Sequence, residues 1–496
     1  MDRVQDLLHR QLDIRPMALA FSDSDGAAWT YADLDRACDD LVGHLARIGV
    51  QRGDRVLILS ENCCAKVATL FACYRMGAIA VPVNARQTRA EIERIQNHAT
   101  PAAVVLTTSV SADARVHAVW MNAQEITGRF GAVHLARTSD SNPDAPDDLA
   151  VLLYTTGTTG DPKGVMLSHD NLLFGGRTSA ELRGMTVDDV IYGVLPTTHV
   201  FGLASVVTAA VHIGAPVRLE ARFSAAQLYD ALRGGVTLLS AVPQMHALLM
   251  QYTKEQGFER LEGSKLRYVS SGAAPLDPDW KRRAEAFYGV AVQNGYGMTE
   301  TTAGICATSN PIGVPDVSVG PPLPQVQVRL DEAAVGGGDG VGEVLVQGPN
   351  VMLGYYRNPS ETARALSPDG WMRTGDLGRF DVDGLLHIEG RAKELIIHGG
   401  FNVFPPEVEA ALNAHPQVVQ SAVVGRRQEG DEQVLAFVQV APGDAPEPEA
   451  LRDFVSAQLA GYKCPSQIIL ATKLPAAPTG KILKHKLLTH FADQLR

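Results

Sequence analysis

From Tyr154 to Gly164 the chain reads YTTGTTGDPKG: four threonines, three glycines, one proline and one lysine between two apolar runs. Backbone N–H groups and hydroxyls in such a turn can wrap phosphate oxygens, and Lys163 adds a point charge. The competing reading is a plain surface loop. Spacing excludes two common phosphate loops. A GxxxxGK[ST] loop needs glycine where Pro162 stands and a hydroxyl where Gly164 stands, and no GxGxxG lies in the run. Further polar segments follow: SSGAAPL from Ser270, NGYGMTE from Asn294, WMRTGDLGRF from Trp371, GRAKELI from Gly390, HGGFNV from His398 and PTGKILK from Pro478. Read one at a time they are ambiguous, since Thr299 and Glu300 would serve equally as helix caps.

The elements that carry these segments are α/β in character. From Trp29 to Val83 a helical stretch (YADLDRACDDLVGHLARIG) precedes short strand-like runs (DRVLILS, AIAVPV), the grammar of parallel-rich sheets. After the polar break SDSNPDAPDD come the strand-like runs LAVLLYT, KGVMLS, VIYGVLP, KLRYVSSG and VAVQNGYG, so the Tyr154–Gly164 loop is expected to join two strands. Strands and turns dominate residues 322–390, a small β subdomain. The expected organisation is an N-terminal domain over 1–390, a hinge at 391–393 and a small mobile α+β domain over 394–496.

Together and in this order, the segments resemble the acyl-adenylate-forming superfamily, and the resemblance spans essentially the whole chain. It implies ATP, Mg²⁺ and CoA. Thr155, Thr156, Gly157, Thr158, Thr159, Gly160 and Lys163 would clasp the β and γ phosphates. Gly272, Ala273 and Ala274 would lie beside the adenine, as would the run Asn294, Gly295, Tyr296, Gly297 and Met298, with the Tyr296 ring as its face. Thr299 would meet the α-phosphate and Glu300 would ligate Mg²⁺. Asp376 would accept both ribose hydroxyls and Arg391 donate to the ribose. Lys481 would reach the carboxylate and α-phosphate during adenylation. Lys393 matches the hinge about which the small domain reorients. A basic helix start at Lys484 and Lys486 otherwise reads as a solvated face.

Substrate class follows from charge and shape. No Asp or Glu occurs between Asp189 and Glu220, so the cation of a free α-amino acid would be buried unpaired. In PTTHVFGLAS, His199 resembles an aromatic gate; the alternative is a buried, hydrogen-bonded histidine. Phe201, Val242, Met245, Ala273 and Ala274 would make an apolar pocket for an aromatic or short to medium aliphatic monocarboxylate. Gly399 and Gly400 resemble the acyl-CoA synthetase form, in which a pantetheine arm passes close to the backbone. A lysine at Gly399 would instead suit luciferase-like relatives. The expected enzyme is an AMP-forming acid–thiol ligase; a carrier protein as acceptor, or a silent nucleotide-binding scaffold, are the alternatives.

With a net charge of −11, the chain offers no general attraction to nucleic acid or anionic lipid, so an anionic substrate must be met locally. The six cysteines have no CxxC spacing, which points away from zinc or a disulfide framework and toward a reducing, cytoplasmic location. Residues Val194–Val217 are apolar but interrupted by proline, histidines and glycines, so a buried hairpin or helix is expected rather than a membrane span. The oligomeric state is open between monomer and homodimer.

Overall fold

The computed structural model describes residues 3–144, 146–156, 162–272, 276–399, 401–428, 431–443, 445–476 and 482–495. Two eight-stranded sheets form the bulk of the N-terminal part. In the first, the parallel strands Arg55–Ser60, Ile79–Asn84 and Ala103–Leu106 lie side by side. The first two are buried at every position, which is why they read as unbroken apolar runs rather than as alternation. Strand Leu149–Thr156 joins beside Ile79–Asn84, and Pro162–Ser168 pairs antiparallel with it, so the threonine-rich loop does join two strands.

In the second sheet, Ile191–Gly193, Val217–Leu219, Leu238–Ala241, Tyr268–Ser271 and Val292–Tyr296 run parallel. Helices pack on both sheets, and several start with reciprocal caps. Thr30 with Asp33, Thr88 with Glu91, and Ser168 with Asn171 each satisfy two helix-terminal groups. Residues Val200–Ile213 form one continuous helical segment with a π-helical stretch at Leu203–Thr208, so the middle of the apolar Val194–Val217 region is a largely buried helix. Among the described residues no helix is long and apolar enough to cross a membrane.

A four-stranded antiparallel sheet follows, built from Gln327–Asp331, Gly342–Gln347, Met372–Phe380 and Leu386–Arg391. Its last strand ends at Arg391, and the 3-10 turn Ala392–Glu394 begins there. Beyond it lie the hairpin Ile396–His398/Phe401–Val403, the helix Pro405–Asn413 and a three-stranded sheet of Val418–Gln428, Asp431–Val440 and Gln467–Ala471. This α+β unit has apolar clusters of its own. All six cysteines are thiols, five of them buried.

Candidate active site

Two polar networks meet where the second sheet, the four-stranded sheet and the turn Ala392–Glu394 converge. The first is built on strand Val292–Tyr296. The Tyr296 hydroxyl donates to Asp376 Oδ2 at 2.6 Å, while Arg391 Nε lies 3.1 Å from Asp376 Oδ1. Asp376 and Arg391 are register partners on neighbouring antiparallel strands, so the ion pair is set by strand pairing. Asp376 is 5% exposed. Burial, then the adjoining Asp376 carboxylate, push the Tyr296 phenol well above its ordinary range.

The second network surrounds Glu300, in the 3-10 turn Thr299–Thr301. Its Oε1 accepts from the Tyr355 hydroxyl at 2.9 Å, and the Tyr355 ring lies under Lys163 Nζ, 5.2 Å from its centroid. Strand Gly354–Tyr355 pairs with Pro162–Ser168, which brings ring and lysine together. Lys163 also ion-pairs with Glu361 from the helix Pro359–Ala365, and that contact leads the causes that lower the Glu361 carboxyl.

The networks share an electrostatic centre. Desolvation lowers the Lys393 amine below its usual range, and the next causes are the positive charges of Arg391 and Lys163. The turn Ala392–Glu394 and the strand Pro162–Ser168 therefore lie close enough to interact electrostatically. Lys163, Arg391 and Lys393 stand among Glu300, Asp376 and Glu361, a charge-balanced cluster whose cations suit a polyphosphate and whose carboxylates suit a hard cation. Among the described residues no group of three or more His, Cys, Asp or Glu could hold a metal ion alone. One carboxylate completed by phosphate oxygens is the ligand set that Mg²⁺ commonly takes, and Glu300, 7% exposed, fits it.

The backbone between the networks is closely packed. A Cβ on Gly297 would lie 1.9 Å from the Ala303 carbonyl oxygen, so only glycine fits. Thr302 and Ala303 are left-handed, at φ 49° and 78°, a strained pair held by Asn350. Asn350 accepts the Thr302 hydroxyl through its carbonyl at 2.7 Å and donates its side-chain amide to Gly304 at 2.7 Å.

The other expected positions are distributed as follows. Thr155 pairs in register with Lys163 and Thr156 with Pro162. Thr299 is half-buried beside Glu300, and the Met298 N–H donates to Thr301 Oγ1 at 3.0 Å. The Asn294 side chain donates to the Ser318 carbonyl at 2.9 Å and accepts from the Gly295 N–H, so here it braces the strand. Gly272 ends strand Tyr268–Ser271 against the Phe201 ring, 3.0 Å from where a Cβ would stand. Phe201 and Val242 pack on the largest apolar cluster and Met245 on the second, so this patch lies at the seam between them. Gly399, at φ +58°, turns the hairpin, and its N–H donates to Asp431 Oδ1 at 2.9 Å. Gly157, Thr158, Thr159, Gly160, Ala273, Ala274, Gly400 and Lys481 lie outside the described residues.

Two expectations are corrected. His199 is not a buried histidine: it is exposed, one residue ahead of the turn Val200–Gly202. The buried histidine of this region is His246, bonded to the Tyr288 hydroxyl at 2.8 Å and held down to about 4 by desolvation. Lys484 is not part of a solvated face. Its ammonium lies 2.7 Å from Glu409 and 3.3 Å from Glu394, tying the last helix to the turn after Arg391. Tyr355, Glu361 and Asn350 were not legible as site residues, because GPNVMLGYYRNPSET shows only strand and turn composition.

Comparison with known proteins agrees with this architecture. The AMP-binding enzyme family matches residues 8–356, and the AMP-binding enzyme C-terminal domain matches residues 407–481. 4-Coumarate–CoA ligase 1 of Oryza sativa subsp. japonica is 32% identical over 499 residues, covering 93% of this chain and 87% of that protein. A feruloyl-CoA synthase from Amycolatopsis sp is 34% identical over 477 residues, covering 94% of each. The crystal structure of ATP-bound MatB from Rhodopseudomonas palustris superposes with a TM-score of 0.85 at 32% identity, over 99% of this chain and 100% of that one. Motif order, converging site geometry and matches along nearly the full length lead to one conclusion: the chain belongs to the AMP-binding enzyme family, among its AMP-forming acyl-CoA synthetases.

Proposed function

We propose that this enzyme activates an aromatic or short to medium-chain aliphatic monocarboxylate as its acyl-adenylate, releasing pyrophosphate, and then transfers the acyl group to the CoA thiol with release of AMP. The observation that carries the reading is the convergence of Lys163, Glu300, Asp376, Arg391 and Lys393 in one cluster of cations and carboxylates. Asp376 and Arg391 hold the ribose, Tyr296 faces the adenine, and Lys163 with the threonine loop takes the β and γ phosphates. Mg²⁺, bound by Glu300 and phosphate oxygens, would neutralise charge at the transferred phosphate. Thr299 lies next to Glu300, where the α-phosphate would sit, and Lys481 completes the charge set during adenylation. The small domain then turns about Lys393 and brings the Gly399–Gly400 turn to the thiol path.

The acid is met by Phe201, Val242 and Met245 with the exposed His199 as gate, a surface without a carboxylate partner for an amino acid's ammonium. The names of the relatives, ligases for coumarate and ferulate, favour the aromatic end of this range. A cytoplasmic location fits six cysteines that are all thiols. The test is pyrophosphate release across aromatic, medium-chain, dicarboxylic and amino acids, each with and without CoA. Sustained turnover and acyl-CoA formation with a monocarboxylate only when CoA is present support the proposal. A single CoA-independent burst per enzyme would move the acceptor to a carrier protein. Lys481→Ala should slow adenylation far more than thioester formation; an unchanged first half-reaction refutes its role.

A further inference from the structure

Lys66 sits in the first turn of the helix Cys64–Met76, within a run, CCAKVATLF, that is otherwise apolar apart from one threonine. Its side chain is 1% exposed, and among the described residues its Nζ has no hydrogen-bond partner. An ammonium in that position is costly. Burial holds the amine down to about 7, and the ionisable groups facing it are Cys63 and Glu61.

The lysine lines a cavity of about 10 Å³, room for one water-sized occupant, whose polar walls include Ser60, Glu61, Asn62, Asn84, Arg86 and Thr198. Ser60 Oγ, Thr198 Oγ1 and Arg86 Nε are likewise buried without a hydrogen bond. The acceptors in these walls are already engaged. Glu61 takes Arg222 Nε at 2.9 Å and lies 3.1 Å from Arg86 Nε, an ion-pair contact without hydrogen-bond geometry. Asn62 Oδ1 accepts from the Thr197 N–H and hydroxyl, and Asn84 Oδ1 from the Arg86 N–H. Unpaired donors thus converge beside a single buried carboxylate, Glu61, which Arg222 and Arg86 already face, so cationic groups outnumber anionic ones around the cavity.

We propose that this cavity is a binding site for a small anion, held by the Lys66 ammonium with the Thr198 and Ser60 hydroxyls donating to it. Its volume favours a single-atom anion such as a halide; the other source of the same chemistry is the second carboxylate of a dicarboxylic acid, a group that the monocarboxylate proposed above lacks. Occupancy reaches the acyl side of the enzyme, because Thr198 directly precedes His199 and Asn62 holds the Gly193 and Leu195 carbonyls of the same segment. The site thus couples anion binding to the position of Pro196–Phe201. The halide reading does not depend on the reaction proposed above, whereas the acid-substrate reading rests on it.

The test uses the full chain in gluconate buffer, titrated with chloride while chlorine NMR line width and the melting midpoint are followed. Wild type should show saturable broadening that bromide competes away and a rise in melting midpoint. Lys66→Met should lose both, and Thr198→Val should weaken binding several-fold; Ser60→Ala serves as a second variant should either fail to fold. The NMR-measured Lys66 pKa should rise about one unit for every tenfold preference of the anion for the ammonium form. Displacement of bromide by a dicarboxylate but not by its matched monocarboxylate assigns the occupant to the substrate's distal group; displacement by neither assigns a free halide. No saturable response of wild type to halide or dicarboxylate, or an unchanged response in Lys66→Met, overturns the proposal.

Discussion

Gly297→Ala tests the site through one methyl group. The added Cβ would stand 1.9 Å from the Ala303 oxygen and 2.5 Å from its carbonyl carbon, where real Cβ contacts essentially never fall below 3.0 Å. Relief requires about 1.1 Å of separation, and the two sides are not equally free to supply it. Thr302 and Ala303 are already left-handed, the Thr302 hydroxyl is held by the Asn350 carbonyl, and the Ala303 N–H donates to the Met298 carbonyl at 3.2 Å. Displacement therefore falls on Gly297–Glu300, which carries Thr299 and Glu300. A misplacement near 1 Å costs on the order of 10²-fold in a reaction that depends on alignment. Overpacking adds about 1–3 kcal/mol of destabilisation. Single-turnover pyrophosphate release should fall by about that factor, with a lower melting midpoint. Gly43→Ala, on a helix away from the site, is the control, because its Cβ would meet only the end of the Arg47 side chain, at 3.8 Å. Wild-type pyrophosphate release by Gly297→Ala, or an equal loss in Gly43→Ala, would refute the positioning argument.

Three further outcomes are expected. Asp376→Asn removes the negative charge between Tyr296 and Arg391. Losing charge-assisted bonds of ~1.5–3 kcal/mol predicts an ATP KM raised on the order of 10- to 100-fold, measured by ATP–pyrophosphate exchange. Lys484→Met leaves Glu394 and Glu409 without their shared cation. As Lys484 is about a quarter exposed, the cost is ~1–3 kcal/mol, between surface and buried pairs. Adenylation should fall with it, since Lys481 is three residues away, and Lys484→Arg should recover most of both; intact adenylation would detach the helix from the reaction. Finally, in halide-free buffer, Lys66 should make stability pH-dependent. Its folded pKa of about 7 lies below the unfolded value near 10.5, so the unfolded chain gains the proton first and stability is lost as pH falls from 10.5 to 7, by up to ~5 kcal/mol. Below 7 the difference is constant. Urea melts at pH 7 and pH 10 should show Lys66→Met gaining on wild type at the lower pH; parallel profiles would contradict the buried-amine account.

The amino-acid order by itself determined the chemistry on offer and the local elements. The run at Arg55–Ser60 reads as a strand, the stretch from Tyr31 as a helix and the threonine-rich turn as a link between two strands, and the structure has all three. Motif order announced the family, because each motif is contiguous and its residue types are tied to one task. Tertiary structure alone decided the partners. Tyr296 and Asp376 are 80 positions apart, and Lys163 and Glu361 are 198 apart. No periodicity encodes either meeting, which arises when a strand end, an antiparallel sheet and a short helix pack around one centre. Burial was hidden in the same way. A lysine near a helix end ordinarily extends its amine to water, so Lys484 reads as part of a solvated face, and nothing in the sequence marks Lys66 as buried. Lys66 is enclosed because the chain at Ser60–Asn62, Asn84–Arg86 and Pro196–Thr198 closes over the first turn of its helix. Lys484 is held against the fold, about a quarter exposed, because two carboxylates from separate elements converge on it, and both outcomes depend on the packing of segments far apart in the chain.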